Sequence, residues 1–381
     1  MGQAILNATS ETTKQRTAYF FLGRTPDGRF LGYPHQAILF AEGLRALGWR
    51  IVSDVETWRP QPDAPFLFPG DVDAPRPADC DLLVVAEDYF MLQGSPALPV
   101  AITSCSVPAV FLDRRDLGDN LRDLYSKPYE RFAAIFRTHG NRRFRYPANL
   151  RQMVFGISDR IAEASVVAAS EVVNEPREGL IWNFRHKQFP HTVRVWAEKE
   201  VRPVLESGVP FRSEVDPEVE NNLYDNLMLR QTEGRHFPAY YRRMASSTMA
   251  ACFGGWFLLP VPQQEAGPAC MWGRRVMKSL GRTSTMIAQW DSWRMWEAFA
   301  AGTAVLHLDM ERNGFLFDGP QPEPMKHYIA VSLDRPAESL RPLLDHPDEV
   351  RRIGEAGRIW ALEHYTSRPI AARMLKEIGL G

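Results

Sequence analysis

The fold is decided by the stretch Asp291-Ser-Trp-Arg-Met-Trp-Glu-Ala-Phe-Ala-Ala-Gly-Thr-Ala-Val-Leu-His-Leu-Asp309. Its apolar spacing predicts an amphipathic helix that ends at Gly302 and leads directly into an apolar strand. Arg294 and Glu297 lie three residues apart and share one face of that helix, near its start. The backbone N–H groups and the dipole at a helix start favour a bound anion. The order of helix, glycine and strand therefore predicts a charged cleft at a strand edge.

The composition is that of a globular protein. The chain has 381 residues, of which 45% are hydrophobic and 24% charged, and this length favours two domains. The net charge of −1 gives no overall basic field, so a nucleic-acid partner is not expected. Arg137, Arg142, Arg143 and Arg145 form a local basic cluster that either faces phosphates or belongs to a solvated surface loop.

Neither a membrane-spanning segment nor a cysteine framework is expected. Residues 1–15 are polar, and no apolar run reaches the roughly 18 residues that a spanning helix needs. We therefore expect a soluble, cytoplasmic protein, for which any membrane contact is peripheral. Cys80, Cys105, Cys252 and Cys270 lie far apart without a CxxC pair, which disfavours a zinc site or disulfides.

Strand and helix patterns alternate along both halves of the chain. Turn-forming residues at 174–179 separate the halves. Residues 166–169, which are small and apolar, are expected to form the last buried segment before this linker. The alternation predicts an α/β fold with two doubly wound, Rossmann-like domains that face each other across a cleft. Strands are predicted at residues 17–22, 49–53, 81–86, 108–112, 180–184, 249–253 and 328–332, and helices at 34–47, 192–206, 240–247, 337–344, 347–361 and 367–378.

The signature stretch resembles the nucleotide-sugar-binding segment of GT-B glycosyltransferases. That segment consists of an arginine, a Glu-Ala pair, a small residue, a glycine and an apolar strand. Residues 240–255 and 347–365 are similar to the corresponding parts of group 1 and exostosin-like families, although no subfamily is identified. The resemblance is carried by Arg294, Glu297, Ala298, Ala301, Gly302, Val305 and Leu306.

The resemblance implies a division of labour between the domains. Residues 1–173 would form the domain on the acceptor side, and residues 174–363 would bind the nucleotide sugar. Residues 364–381 would form a C-terminal helix that packs back on the first domain. Closure of the two domains over the donor is expected from the linker at 174–179.

The resemblance also implies a set of donor-binding residues. Glu297 matches the glutamate that accepts hydrogen bonds from the ribose hydroxyls of the donor. The alternative interpretation is that Glu297 is a carboxylate on the helix surface, paired with Arg294. Arg294 either binds the diphosphate or orients Glu297. Arg185 and Lys187 match a loop that holds the donor phosphates, with Arg185 favoured because its planar fork fits phosphate oxygens in pairs. Further candidates are Arg235, for phosphate, and Trp293, for stacking on a base or sugar.

The sequence departs from a pattern that is common in retaining glycosyltransferases. That pattern has a second glutamate eight positions before the first, and Gln289 occupies the position here. This difference favours an inverting mechanism, which needs a general base on the acceptor side. Asp113, Asp88 and His139 are the candidates, since each follows a predicted strand. Asp113 leads because its flanking arginines would keep it ionised, although it would serve equally as a helix cap or a salt-bridged loop residue.

No metal and no cofactor are expected, because the nucleoside diphosphate sugar is itself the donor substrate. Asp71 and Asp73 have the DxD form of another glycosyltransferase architecture, but they lie in a proline-rich loop that no apolar strand precedes.

Three functions are compatible with these residues. The leading one is a glycosyltransferase of glycan biosynthesis, a hexosyl or related transferase acting on a glycan, a lipid-linked or another hydroxyl acceptor. The alternatives are a nucleotide-sugar epimerase of the same architecture and a non-catalytic protein that binds a carbohydrate or nucleotide.

Overall fold

The computed structural model describes residues 15–23, 33–70, 75–87, 89, 98–114, 127–184, 191–212, 222–258 and 286–381. Within these ranges the chain forms two parallel β-sheets, whose strands alternate along the sequence with helices. A third sheet consists of one antiparallel pair of strands.

The first sheet comes from the first half of the chain. Its described strands are β1 (Thr17–Phe21), β2 (Arg50–Ser53), β3 (Leu82–Ala86), β4 (Ala109–Asp113), β5 (Ala134–Arg137) and β6 (Leu150–Gln152). They are parallel and lie in the order β2-β1-β3-β4-β5-β6. Every residue of β3 and β4 is buried, as expected for apolar strands covered on both faces. The four strands predicted in this half are confirmed as β1 to β4.

The second sheet comes from the second half. Its described strands are β7 (Leu180–Ile181), β8 (Phe211–Arg212), β9 (Met249–Ala251), β12 (Ala304–Leu308) and β13 (Ile329–Val331). They are also parallel and lie in the order β13-β12-β9-β7-β8. The antiparallel pair is β10 (Trp256–Leu258) with β11 (Met286–Ala288).

Helices connect and cover the strands. The described helices are α1 (His35–Ala46), α2 (Val100–Ser104), α3 (Asp159–Glu171), α4 (Thr192–Glu200), α5 (Arg202–Leu205), α6 (Leu223–Gln231), α7 (Pro238–Ala245), α8 (Trp293–Ala301), α9 (Pro336–Leu344), α10 (Pro347–His364) and α11 (Ser367–Glu377). In a parallel βαβ unit each helix runs opposite to its strands, so the helices begin at the edge where the strands end.

Helix α3 corrects the prediction for residues 166–169. These residues are not a buried strand but lie within the helix, with Val166 62% and Val167 52% exposed. The helix buries one face, on which Ala164 and Ala168 pack against α7. Small apolar residues are compatible with either structure, so their composition alone was misleading.

The C-terminal helix α11 packs against α1 of the first half. The approach is close enough that a Cβ atom at Gly43 would lie 2.1 Å from the carbonyl oxygen of Ser367. A side chain at this position would force the two helices apart.

The signature stretch forms the predicted helix, glycine and strand. Helix α8 ends at Gly302, which has φ +69°, a left-handed conformation that glycine adopts without strain. Arg177 stabilises this end by donating to the carbonyl oxygens of Gly302 at 2.7 Å and Ala301 at 3.2 Å. Strand β12 begins two residues after Gly302 and is buried throughout.

The basic cluster is engaged with the protein itself. Arg142 donates to the carbonyl oxygen of Glu311 at 2.5 Å, and Arg143 to that of Arg312 at 2.7 Å. These carbonyl groups follow β12, so the two arginines link the halves of the chain.

The helices of the described ranges include none with the length and apolar character needed to cross a membrane.

Candidate functional site

Five helices begin around one cavity between the two sheets. The cavity has a volume of about 500 Å³ and is lined by residues at or near the starts of α1, α3, α4, α7 and α8. Its described lining comprises Tyr33, Arg114, Phe155, Arg160, Asn183, His191, Arg194, Gly234, Arg235, Phe237, Tyr240, Gly254, Gln289, Asp291, Ser292, Trp293, Arg294 and Glu297. This set contains five arginines and two carboxylates, so the cavity is suited to an anionic ligand.

One side of the cavity is built around Phe184. The guanidinium carbons of Arg194 and Arg294 lie 5.5 and 5.4 Å from the centre of its ring. Arg294 also donates to the carbonyl oxygen of Asn183, and Arg194 to that of Phe253 at 3.0 Å. Both arginines lie in the first turn of their helices, α4 and α8, where no acidic residue is present. Two helix starts and two arginines thus favour negative charge at the same place.

Glu297 lies one turn further along α8 and is held by two tyrosines. Its Oε1 accepts a hydrogen bond from the Tyr241 hydroxyl at 3.0 Å, and its Oε2 accepts one from the Tyr240 hydroxyl at 3.2 Å. Burial raises the pKa of both phenols well above its usual range, so both remain protonated donors. Glu297 is therefore fixed in the cavity wall rather than paired with Arg294 on the surface.

A buried arginine that was not predicted from the sequence extends this network. Arg160, at the start of α3, donates to the Tyr241 hydroxyl at 2.9 Å and lies 3.2 Å from Nδ1 of His236. Burial, followed by the charge of Arg160, lowers the pKa of His236 to about 4, so this ring is neutral at pH 7. Its Nδ1 therefore accepts from Arg160, and its Nε2–H donates to Asp225 at 3.0 Å.

The other side of the cavity is aromatic. The Trp293 ring lies 5.2 Å from that of Phe155 and 5.9 Å from that of Tyr33. The guanidinium of Arg235 lies 5.2 Å from the centre of the Trp293 ring, within the range of a cation–π interaction. The indole Nε1 of Trp293 is buried and has no hydrogen-bond partner among the described residues.

Asp291 lies in the cavity wall beside His139. Its Oδ2 accepts a hydrogen bond from the backbone N–H of Phe155 at 2.8 Å, and its Oδ1 accepts one from the Trp296 indole at 2.7 Å. The backbone N–H of Asp291 donates to Nδ1 of His139 at 3.2 Å. Burial raises the pKa of Asp291 to about 6, although His139 and both hydrogen bonds act in the opposite direction.

The predicted residues are only partly brought together. Glu297, Arg294, Arg235 and Trp293 all line the cavity. Asp113 does not: it is buried in an ion pair with Arg137, its in-register neighbour on β5. Asp88, Arg185 and Lys187 lie outside the described residues, as do Asp71 and Asp73. Gln289 lines the cavity, and its Oε1 accepts a hydrogen bond from the Trp256 indole at 2.9 Å.

The buried carboxyl of Asp291 leads to a prediction about pH. An aspartate has a pKa near 3.9 in the unfolded chain, and burial raises the pKa of Asp291 to about 6 in the folded protein, so between these values only the folded state holds the proton. The free energy of unfolding of the wild type should therefore fall, relative to that of Asp291→Asn, as pH rises from about 4 to about 6. The expected change is about 3 kcal/mol. Denaturant unfolding of both proteins across this range measures it, and a difference independent of pH would contradict it.

Comparison with known proteins supports the fold. No protein-family model and no curated protein sequence matches the chain. Among solved structures, an alpha-glucosyltransferase in complex with UDP and a 13-mer DNA containing a central A:G mismatch has a TM-score of 0.51 and 10% identity, with 96% of this chain and 99% of that chain covered. Anabaena Alr3699/HepE with UDP and glucose has a TM-score of 0.48 and 11% identity over 96% of this chain and 100% of that chain. Sucrose-phosphate synthase from Thermosynechococcus elongatus has a TM-score of 0.48 and 10% identity, over 95% and 98%.

At such identities the similarity is one of fold. The likeness to the alpha-glucosyltransferase and the two parallel sheets confirm the predicted α/β fold of the GT-B type, in which two doubly wound domains face each other across a cleft. The resemblance to group 1 and exostosin-like families remains a prediction, and no subfamily is assigned.

Proposed function

We propose that the protein is a metal-independent glycosyltransferase that binds a nucleoside diphosphate sugar in this cavity and transfers the sugar to an acceptor hydroxyl. The observation that carries the proposal is the convergence of two helix starts and two arginines, Arg194 and Arg294, around Phe184. A diphosphate fits such a site, and the site favours it more strongly as negative charge develops on the departing group.

The proposal assigns the nucleoside to the wall formed by α8. Glu297 would accept hydrogen bonds from the ribose hydroxyls, because each of its oxygens retains a lone pair beside its tyrosine partner. Trp293, one turn earlier on the same face, offers a ring for stacking on a base or sugar. UDP is the first nucleotide to test, since it is bound in the alpha-glucosyltransferase of similar fold.

The transfer breaks the bond between the anomeric carbon and the diphosphate oxygen, and forms a bond from that carbon to the acceptor oxygen. The electron pair of the broken bond leaves with the diphosphate, whose charge Arg194 and Arg294 would stabilise. Asp291 would act as the general base and accept the proton of the acceptor hydroxyl. It lines the cavity, and its pKa of about 6 suits a general base near neutral pH. His139, whose Nδ1 accepts a hydrogen bond from the backbone N–H of Asp291, is the second candidate for the base. Asp113 is not proposed for this role, because it is buried in an ion pair.

The remaining assignments follow the two-domain arrangement. The donor would bind to the domain of residues 174–363. The acceptor, which carries a hydroxyl of a glycan or lipid-linked saccharide, would bind to the domain of residues 1–173. Because arginines and helix starts supply the positive charge, transfer of a hexosyl group should persist in the presence of EDTA.

The test is a thermal-shift screen with nucleoside diphosphates and their sugars, followed by calorimetric titration of those that stabilise the protein. A ligand that binds only the folded state raises its melting temperature. Glu297→Gln should weaken binding by about tenfold to a hundredfold, because it removes the charge from a hydrogen-bond acceptor worth about 1.5–3 kcal/mol.

The matched control is Glu338→Gln, which makes the same substitution at an exposed position on α9. It should bind the nucleotide as the wild type does. If no nucleoside diphosphate stabilises the wild type, the proposed function is wrong. Equal affinities of wild type and Glu297→Gln would remove Glu297 from the site.

A further inference from the structure

The cavity contains a second pair of cations besides Arg194 and Arg294. Arg160 lies 5.6 Å from the centre of the Tyr33 ring, and Arg235 lies 5.2 Å from the centre of the Trp293 ring. These two rings are 5.9 Å apart, so both arginines border one aromatic surface. A donor diphosphate held by Arg194 and Arg294 leaves this pair unused.

Each arginine of the pair has donors that the protein does not use. Arg235 donates through Nη1 to the carbonyl oxygen of Thr232 at 3.1 Å and lies 3.5 Å from Glu233. Its Nε and Nη2 make no hydrogen bond within the described ranges, and its side chain is 33% exposed. Arg160 uses Nε and Nη1 for Tyr33, His236 and Tyr241, whereas its Nη2 has no hydrogen-bond partner among the described residues.

The carboxylates nearest Arg160 compensate its charge only indirectly, whereas Arg235 is paired with Glu233. Glu297 reaches Arg160 through the Tyr241 hydroxyl, and Asp225 reaches it through the neutral ring of His236. Arg114 also lines the cavity and forms an ion pair with Glu87 at 3.7 Å.

The titration of His35 agrees with a positive field at this place. Its ring lies 5.4 Å from that of Tyr33 and 6.0 Å from that of Trp293. Burial and then the charges of Arg160 and Arg114 lower the pKa of His35 to about 3, so this histidine adds no charge at neutral pH. The positive charge at this place is therefore that of Arg160, Arg235 and Arg114, compensated in part by Glu233 and Glu87.

We propose that Arg235 and Arg160 form a second anion subsite, which binds a phosphate or carboxylate carried by the acceptor or by the transferred sugar. The inference rests on the proposed function, and it names an anionic substrate class for the same cavity. The unused guanidinium donors and the buried indole N–H of Trp293 would then be satisfied by the oxygens of that group.

The test uses Arg235→Gln, because this side chain is partly exposed and its removal should not prevent folding. Arg230→Gln on α6 is the matched control, since Arg230 is exposed and absent from the cavity lining. Protein saturated with UDP, or with whichever nucleoside diphosphate binds, is titrated with glucose 6-phosphate, glucose and inorganic phosphate. In a second arm, the affinities of UDP-glucuronate and UDP-glucose are compared.

Binding of glucose 6-phosphate or inorganic phosphate without binding of glucose assigns the anion to the acceptor. A tenfold preference for UDP-glucuronate over UDP-glucose assigns it to the transferred sugar. In either case Arg235→Gln should weaken the effect at least tenfold, because one charge-assisted contact is lost, and should weaken nucleoside diphosphate binding less than Arg294→Gln does. Arg230→Gln should change neither.

The inference is overturned if neither anionic probe is preferred, or if Arg235→Gln weakens nucleoside diphosphate binding as strongly as Arg294→Gln does. If no nucleoside diphosphate binds, the proposed function fails separately. Inorganic phosphate is then titrated into the free protein. Phosphate binding that Arg235→Gln abolishes would still support the subsite, and its absence would overturn it.

Discussion

Replacing Arg294 with glutamine is expected to weaken binding of a nucleoside diphosphate by about tenfold to a hundredfold, the equivalent of one charge-assisted contact. The affinity should not vanish, since the starts of α4 and α8 and the guanidinium of Arg194 remain. Calorimetric titration of UDP, or of the nucleotide that the screen selects, measures the loss.

Two further variants separate charge from structure in this experiment. Arg294→Lys keeps the charge but not the planar fork, so its affinity should lie between those of wild type and Arg294→Gln. Arg230→Gln again controls for loss of an exposed positive charge and should bind normally. Wild-type affinity in Arg294→Gln, with an unchanged melting temperature, would mean that the diphosphate lies elsewhere.

Replacing Trp296 with alanine is expected to lower the free energy of unfolding by about 3–5 kcal/mol. Trp296 is fully buried on the inner face of α8, and its ring centre lies 5.0 Å from that of Tyr365 and 6.3 Å from that of Trp360. Its removal leaves a cavity and also takes the indole donor from Asp291, 2.7 Å away. Denaturant unfolding followed by far-ultraviolet circular dichroism measures the effect.

Trp296→Phe retains most of the ring and should cost clearly less than Trp296→Ala. The control is Ile359→Ala on α10, at a side chain that is 57% exposed, where the change should stay within about 0.5 kcal/mol. A loss in Trp296→Ala no larger than in this control would contradict the packing described for α8.

The part of the site that could be predicted from sequence lies on single elements. Trp293, Arg294 and Glu297 share the start of one helix, so their spacing alone brings them to one face. The left-handed glycine at the end of α8 and the apolar strand after it could also be predicted, because both depend on the local sequence. For the same reason the alternation of strands and helices was sufficient to predict two parallel sheets.

The part that could not be predicted depends on tertiary contacts. Arg160 meets Tyr241 across 81 positions of sequence, and nothing in the residues near Arg160 marks it as a cavity residue. Asp113 lies at the carboxyl end of β4, but its pairing with Arg137 depends on the register of β4 with β5. Asp291 was not among the predicted catalytic residues, because the burial that raises its pKa depends on how the folded chain packs around it, including the contacts with Phe155 and Trp296.

The proposed function requires that the cavity hold the nucleoside diphosphate of a sugar donor. The most direct test is a crystal structure of the protein with the nucleoside diphosphate that stabilises it most. We expect the two phosphates at the starts of α4 and α8, within hydrogen-bond distance of Arg194 or Arg294, and a ribose hydroxyl within hydrogen-bond distance of Glu297. Phosphates bound elsewhere on the protein, or a ribose without contact to Glu297, would contradict it.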